Sequence, residues 1–475
     1  MDPVLASFCH ECREPGSPDK SLKVCASCKS AYYCGKACQK QHWKTHKLFC
    51  KGQSGVSRNK PEVTEAIQTL GTAIADAAML AMVPTDARAR PRDLNQSVIT
   101  SIPAAFFDDR LNAPGGVVEC YFPGWMKEAI LGQPGFPHPV PSSASSAHKL
   151  VDIPGTGIGM RTTRPLAVGD IIYAERPLII LPVKWRLSTP PPNGNRATYE
   201  ECVQHGWKER ELLLNMLVAR MNPEKRAAYR ALANSHKHDG CGPLSGVLRT
   251  NGFGLGPSDW QKIILNIASR EDRETTMSGV CEVLSRINHN CSPNANVSFH
   301  MPSFSFVLTA VRDIPADTEI TVAYCDLQIP AAARQQTLAS YGFVCTCKAC
   351  SSPSISDARR AAILPTDPIP QEAVRKWLRD ATLADDYVVK KSQDMMRLIE
   401  EEGLESEWYA RAHAGVIAMA YAALGQRQNY LQSRKKALAL SSVSLPLGGG
   451  RLVKLLPEVP EKQEFWMKRL RAKAQ

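Results

Sequence analysis

The alternation of apolar and polar positions divides the chain into a strand-rich middle and helical flanks. Val63, Ile67, Leu70, Ile74 and Ala77 recur at helical spacing with Pro61 in the first turn, which predicts a helix over 61–83. Short apolar runs bounded by Gly, Pro and Asp predict strands at Lys149–Ile153, Met160–Thr162, Ile171–Glu175, Ser303–Val311 and Ile320–Tyr324. Leu212, Leu213, Met216, Leu217 and Met221 place a helix within 208–232, broken at Pro223, and 249–254 reads as a return to extended chain. Val280, Val283, Leu284 and Ile287 form a helix-like run. A short helix follows over Ala331–Tyr341, and 355–475 is helical throughout. Over 131–148, Pro, Ser and Gly dominate, which marks a linker and a domain boundary near 147.

Composition adds limits. The chain has 475 residues, enough for two to four domains, and a net charge of +12. That charge favours acidic partners, but no long Lys/Arg run and no helix-turn-helix supports sequence-specific DNA binding. The first twelve residues lack the basic and apolar regions of a secretory signal, and Glu65 and Asp76 interrupt the most apolar long stretch. An intracellular, reducing location is therefore expected, nuclear or cytoplasmic, with no membrane span. In such a compartment sixteen cysteines call for metal or burial rather than disulfides.

Eight candidate ligands crowd into residues 9–50: Cys9, Cys12, Cys25, Cys28, Cys34, Cys38, His46 and Cys50. Each neighbouring pair can grip one ion, and four ligands per tetrahedral Zn²⁺ give two zincs. Forty residues bury too little to fold alone, so metal must contribute the folding energy. Further on, Cys345, Cys347 and Cys350 form C-x-C-x2-C, one ligand short of a closed site. Cys291 is the candidate for the fourth. It lies in Arg286–Asn294, where amides, an imidazole, a thiol and a proline crowd together as a ligand-holding loop would require. Cys120, Cys202, Cys241, Cys281 and Cys325 have no partner by spacing and read as ordinary thiols. Gly155, Gly157 and Gly159 alternate between two strands, which permits close backbone approach to a ligand. No helix follows them, so they are not a dinucleotide fingerprint.

Residues 9–50, with Tyr32-Tyr33-Cys34, His42-Trp43 and His46-Lys47 as filler, resemble a MYND zinc finger. The resemblance implies that Cys9, Cys12, Cys34 and Cys38 hold one zinc, and that Cys25, Cys28, His46 and Cys50 hold the other. It leaves His42 out, and it implies either a Pro-rich peptide partner or a purely structural finger. Residues 148–350 resemble the SET domain of SET-and-MYND protein lysine methyltransferases. The resemblance rests on G-x-G-x-G at 155–159, N-H-x-C-x-P-N at 288–294, E-I-x-x-x-Y at 319–324 and C-x-C-x2-C at 345–350, in that order.

The implied fold is α+β: a MYND finger (1–50), a helical segment and linker (51–147), a β-rich SET domain with a helical insertion near 184–245 and a post-SET zinc site (148–350), and an α-helical, tetratricopeptide-like region (351–475). The implied activity is S-adenosylmethionine-dependent methylation of a lysine in a histone tail or another protein, by a monomer holding three zincs. Tyr324, Phe343 and Tyr341 would form the catalytic site and lysine channel. Gly155, Thr156, Gly157, Ile158, Gly159, Asn251, Asn288 and His289, with Tyr324 and Phe343, would contact the cofactor, His289 mainly through its backbone. Two departures stand out. Animal members carry the finger inside the SET domain, whereas here it precedes that domain. Thr156 and Ile158 stand where some members carry basic residues. A catalytically inert interaction module, such as a corepressor adaptor, is the competing expectation; the intact Asn288-His289, Tyr324 and Phe343 set favours the enzyme.

Overall fold

A computed structural model describes residues 9, 12, 22–26, 32–46, 94, 96–103, 116–143, 145–183, 189–191, 196–255, 276–363, 370–444 and 454–473. The helix expected over 61–83 lies outside them. The chain divides into two units, Met1–Ala75 and Asp76–Gln475. In the first, a two-stranded ladder, β1 (Lys23–Val24) and β2 (Tyr32–Tyr33), leads into α1 (Lys36–His46). Its small core is Cys9, Cys25 and Tyr33, flanked by Cys34 and Cys38. A core built largely from thiols is what a metal-dependent module leaves for hydrophobic burial.

The second unit begins with β3 (Ser97–Ile102), β4 (Val118–Pro123) and α2 (Gly124–Leu131). Then come β5 (His148–Ile153), β6 (Gly157–Thr162), β7 (Ile171–Glu175) and β8 (Ile179–Pro182). The insertion supplies α3 (Tyr199–Arg220), α4 (Pro223–Arg230) and α5 (Pro243–Asn251), followed by β9 (Gly252–Leu255) and β10 (Met277–Val280). The remaining strands are β11 (Asn288–His289), β12 (Ala295–His300), β13 (Ser305–Ala310) and β14 (Glu319–Val322). They form three sheets: β3-β4-β8-β10-β9, β11-β14-β6-β5 and β12-β13-β7. Thus 97–131, expected between domains, adds two strands to a sheet shared with β8, β9 and β10.

Thr198 opens α3 with a capping box: its hydroxyl accepts from Glu201 N–H, and the Glu201 carboxylate accepts from Thr198 N–H at 2.7 Å. Pro223 does break the helical run, as the first residue of α4 behind an Asn222 cap. The apolar face of α3 to α5 buries Leu213, Leu214, Leu217, Val247 and Leu248 against Ile179, Leu181 and Val280 of the five-stranded sheet. An ion pair from the half-buried Arg220 Nε to the buried Glu119 Oε2 at 2.6 Å joins the end of α3 to β4.

Two local expectations change. Residues 249–251 finish helix α5, and extended chain begins only at Gly252. The run 280–287 is no α-helix: it is the end of β10, a turn, and a 3₁₀ turn at Leu284–Arg286. The cause is Glu175 at the end of β7. Its carboxylate accepts the N–H groups of Glu282, Val283 and Leu284 at 3.2, 2.8 and 2.7 Å, holding them in a turn rather than a ladder. Burial pushes this carboxyl up to about 7, even against those three donors.

The C-terminal part is helical: α6 (Ala331–Leu338), α7 (Lys348–Ser351), α8 (Pro353–Ile363), α9 (Pro370–Arg379), α10 (Tyr387–Glu402), α11 (Trp408–Ala423), α12 (Arg427–Ser444) and α13 (Lys468–Lys473). The alanine-rich α11 packs between α10 and α12 and is buried along most of its length. Its small side chains allow close helix approach. Cys291, Cys345 and Leu338 belong to the same hydrophobic cluster as α9 to α12, so the helical tail is continuous with the metal-ligand segment. No helix among the described residues is long and apolar enough to cross a membrane.

Within α11, His413 is buried, and its ring nitrogens have no hydrogen-bond partner among the described residues. Burial, aided by Lys391, holds its pKa down at about 4. The unfolded chain therefore takes up this proton first as pH falls, so stability is complete above about 6.5 and drops towards 4. His413→Leu should gain on the wild type by on the order of 2–3 kcal/mol between pH 7 and pH 4, read as urea-unfolding free energies at the two pH values.

Candidate cofactor and metal site

The site forms where β11 lies parallel to the end of β14, with Asn288 opposite Thr321 and His289 opposite Val322. Asn294 fixes this crossing. Its Nδ2 donates to Glu319 O at 2.8 Å, and its Oδ1 accepts from Thr321 N–H at 2.9 Å. Asn288 and Tyr324 are thereby brought close from segments far apart in the chain.

The glycine hairpin closes one side. Gly155 and Gly157 have φ +81°, and a side chain built at either would meet open space within 4 Å. Gly159 differs: a Cβ there would stand 2.6 Å from Ile153 Cγ1 and 2.7 Å from Asn288 Nδ2. That nitrogen donates to Thr156 Oγ1 and to Glu319 Oε1, each at 3.0 Å. An open backbone loop beside an oriented amide and a carboxylate suits the zwitterionic end of an amino-acid-like cofactor. Glu319 is a site residue the sequence reading missed, although it stands first in E-I-x-x-x-Y. Ile158 is exposed on the hairpin. Asn251 is buried, and its amide donates to Ala233 O at 2.6 Å and Val247 O at 2.7 Å. Its own carbonyl accepts from the Ser285 hydroxyl, so it fastens α5 to the turn before Asn288.

Four rings form a closed circuit on the other side. Neighbouring centroids are 5.4 Å apart for His289–Tyr324, 4.9 Å for Tyr324–Tyr341, 6.5 Å for Tyr341–Phe343 and 6.1 Å for Phe343–His289. The Tyr324 hydroxyl donates to Ile287 O at 2.5 Å, and burial raises its pKa, so it stays a phenol. His289 joins both halves. Its Nδ1 accepts the Tyr324 N–H at 3.0 Å, which assigns the proton to Nε2, and Nε2 lies 3.2 Å from Cys291 Sγ. Burial keeps this imidazole neutral, with its pKa down at about 4.

Cys291, Cys345, Cys347 and Cys350 converge, their sulfurs all within 4.8 Å of one another. Cys291 Sγ is 3.9 Å from Cys345 Sγ and 3.5 Å from Cys350 Sγ. A tetrahedral ZnS₄ centre has sulfur–sulfur edges of about 3.8 Å, so the four thiols fit zinc. Gln335 brackets Cys345 through both its backbone groups, and the buried Arg334 points Nη2 at Cys350 Sγ, 3.9 Å away. The Arg334 guanidinium offsets the negative charge of a four-thiolate centre, and Gln335 fixes the backbone of one ligand. Cys325 is no isolated thiol: it lies within 4.8 Å of His289 and Cys291. Its position directly after Tyr324 was the available signal.

In the finger, Cys9, Cys12, Cys34 and Cys38 converge as the first set of four, with Cys12–Cys34 at 3.4 Å and Cys34–Cys38 at 3.3 Å between sulfurs. His42 bonds the Tyr33 hydroxyl at 2.9 Å, in keeping with its exclusion from the ligands. Of the second set, Cys25 is buried; Cys28, Cys50 and the His46 side chain lie outside what the structure describes.

The SET domain family matches residues 157–325, and the MYND finger family matches residues 9–50. The chain thus carries the two domains of the SET-and-MYND type in an α+β fold with cysteine clusters suited to zinc. It is similar to "Histone-lysine N-methyltransferase set5" of Schizosaccharomyces pombe, 29% identical over 219 residues, covering 45% of this chain and 54% of the relative. It also resembles "Histone-lysine N-methyltransferase SMYD3" of Homo sapiens, 29% identical over 151 residues, covering 31% and 29%. A third likeness is to "Histone-lysine N-methyltransferase ATXR2" of Arabidopsis thaliana, 38% identical over 72 residues, 15% of each chain. The chain spans about half the length of the first of these and less of the others.

The Gly159 contacts make a local prediction. Gly159→Ala should displace the Asn288 amide and cost about 1–3 kcal/mol, the usual range for overpacking a closed site. Urea unfolding of the variant against the wild type measures it.

Proposed function

We propose that this chain transfers a methyl group from S-adenosylmethionine to the side-chain amine of a protein lysine. The observation that carries the reading is the closed circuit of His289, Tyr324, Tyr341 and Phe343 beside the glycine hairpin and Asn288. The likeness to proteins named histone-lysine N-methyltransferases supports it. Bound S-adenosylmethionine supplies an electrophilic methyl on a positively charged sulfur. The chain's own residues do the rest. Gly155 to Gly159, Asn288 and Glu319 would hold the polar end of the cofactor, and the Tyr324 and Phe343 rings would contact the rest of it.

The four rings exclude water from a lysine stem and line its amine up for in-line attack. A free lysine amine has a pKa of about 10.4, so it must be made neutral. Apolar walls favour the neutral form, and the Tyr324 hydroxyl and neighbouring carbonyls orient it by hydrogen bonds. Cys291, Cys345, Cys347 and Cys350 would hold one zinc and the finger two more. The substrate is a histone tail or another lysine-bearing protein, the finger serves as a peptide-binding or structural module, and the chain acts in the nucleus or the cytoplasm.

Three zincs per chain are expected by elemental analysis. Cys345→Ser should lose one zinc together with S-adenosylmethionine binding, because the Cys291 loop also carries Asn288. Tyr324→Phe should keep calorimetric affinity for the cofactor and slow methyl transfer on a peptide array by on the order of a hundredfold. A fully metallated wild type without cofactor affinity would sink the reading.

A further inference from the structure

We propose that Arg360 of α8 and Glu402 at the end of α10 are positioning residues. They hold the loop that carries Asn288 and Cys291 in register with the chain end that carries Tyr324. This rests on the methyl-transfer reading above and extends it to the helical tail.

Arg360 is buried, and its guanidinium ties together three separate pieces of chain. Nη1 donates to Leu327 O at 2.6 Å, three residues beyond Tyr324. Nη2 donates to Cys291 O at 2.9 Å, on a zinc-ligand residue of the Asn288 loop. Nε donates to Glu402 Oε2 at 3.1 Å, and Ser356 supplies a second donor to the same carboxylate oxygen. One planar, always-charged group thus fixes the distance between the two halves of the site, and Glu402 supplies its counter-charge.

The tail touches the loop a second time. Ser292 Oγ donates to Glu402 O at 2.6 Å, and Arg312 Nη2 links Pro293 O to Glu405 Oε2, both at 2.8 Å. Between these bonds sits Gly403, with φ +70°. A Cβ there would stand 2.5 Å from Ser292 Cβ, so only glycine lets the tail come this close. Among the described residues, no hydrogen bond from these side chains reaches the four rings or the glycine hairpin. Their effect is exerted through Cys291, Pro293 and Leu327 backbone carbonyls and through Ser292.

Ser292→Ala and Arg360→Lys test this, with Trp377→Leu as a control that destabilises the same helical tail through its bond to Ala384. The readouts are S-adenosylmethionine affinity by calorimetry, the rate of zinc release to a chelator, the urea-unfolding midpoint, and the methylation rate at saturating cofactor. Ser292→Ala should weaken cofactor binding about fivefold, the worth of one net hydrogen bond, and speed zinc release while reaching the wild-type rate at saturation. Arg360→Lys should weaken binding further and also lower the saturated rate, because the hold on Leu327 is lost. Trp377→Leu should lower the midpoint and leave affinity and zinc release unchanged. Wild-type affinity and zinc release in Ser292→Ala, or an equal loss in Trp377→Leu, overturns the proposal. A wild type that binds no cofactor overturns the methyl-transfer reading instead, and zinc release then decides whether the clasp holds the loop.

Discussion

The convergence of Cys291 with Cys345, Cys347 and Cys350 is the constraint on which the site depends. Cys291 meets Cys345 across 54 positions of the chain. Four sulfurs at tetrahedral spacing are a costly arrangement for thiolates alone and a favourable one around a divalent ion. Closing this centre sets the Asn288 loop against the segment that carries Tyr341 and Phe343. It also seals the loop into the hydrophobic cluster of α9 to α12.

His289 transmits that constraint inward. Its two nitrogens point at different halves of the site, one at the Tyr324 backbone and one at the Cys291 sulfur. An imidazole held neutral can accept at one nitrogen and donate at the other, whereas a protonated one could not accept the Tyr324 N–H. Asn294 performs the matching task on the backbone, bonding Glu319 and Thr321 at once. The cofactor side and the ring side are therefore adjusted by the same few bonds. The helical tail enters through Arg360 and Gly403, so it backs the loop that carries the site.

Much of this was legible in the residues because metal chemistry imposes short, fixed spacings. C-x2-C in the finger and C-x-C-x2-C near 345–350 declare ligands without any knowledge of the fold, and the alternating glycines declare a hairpin open to a ligand. The helical run at 280–287 misled for a physical reason. Its apolar residues have helical spacing, yet the N–H groups that a helix would use are taken by Glu175, more than a hundred residues earlier in the chain. Strands β3 and β4 were likewise hidden, since the hairpin they form joins a sheet only through the pairing of β4 with the distant β8. Cys325 looked solitary for the same reason.

Local pattern alone therefore determined most of the SET-region strands, the helical flank after 355, the metal-ligand residues and the loop able to hold a cofactor. These follow from spacing, turn chemistry and ligand type, all of which act over a few residues. Tertiary structure alone decided that Glu319 faces Asn288, that Cys325 lies beside His289 and Cys291, that four rings close a circuit, and that Arg360 clasps the loop. Each joins segments tens of residues apart, and such a contact is selected by the packing of the whole core, where burial and hydrogen-bond satisfaction must be met together.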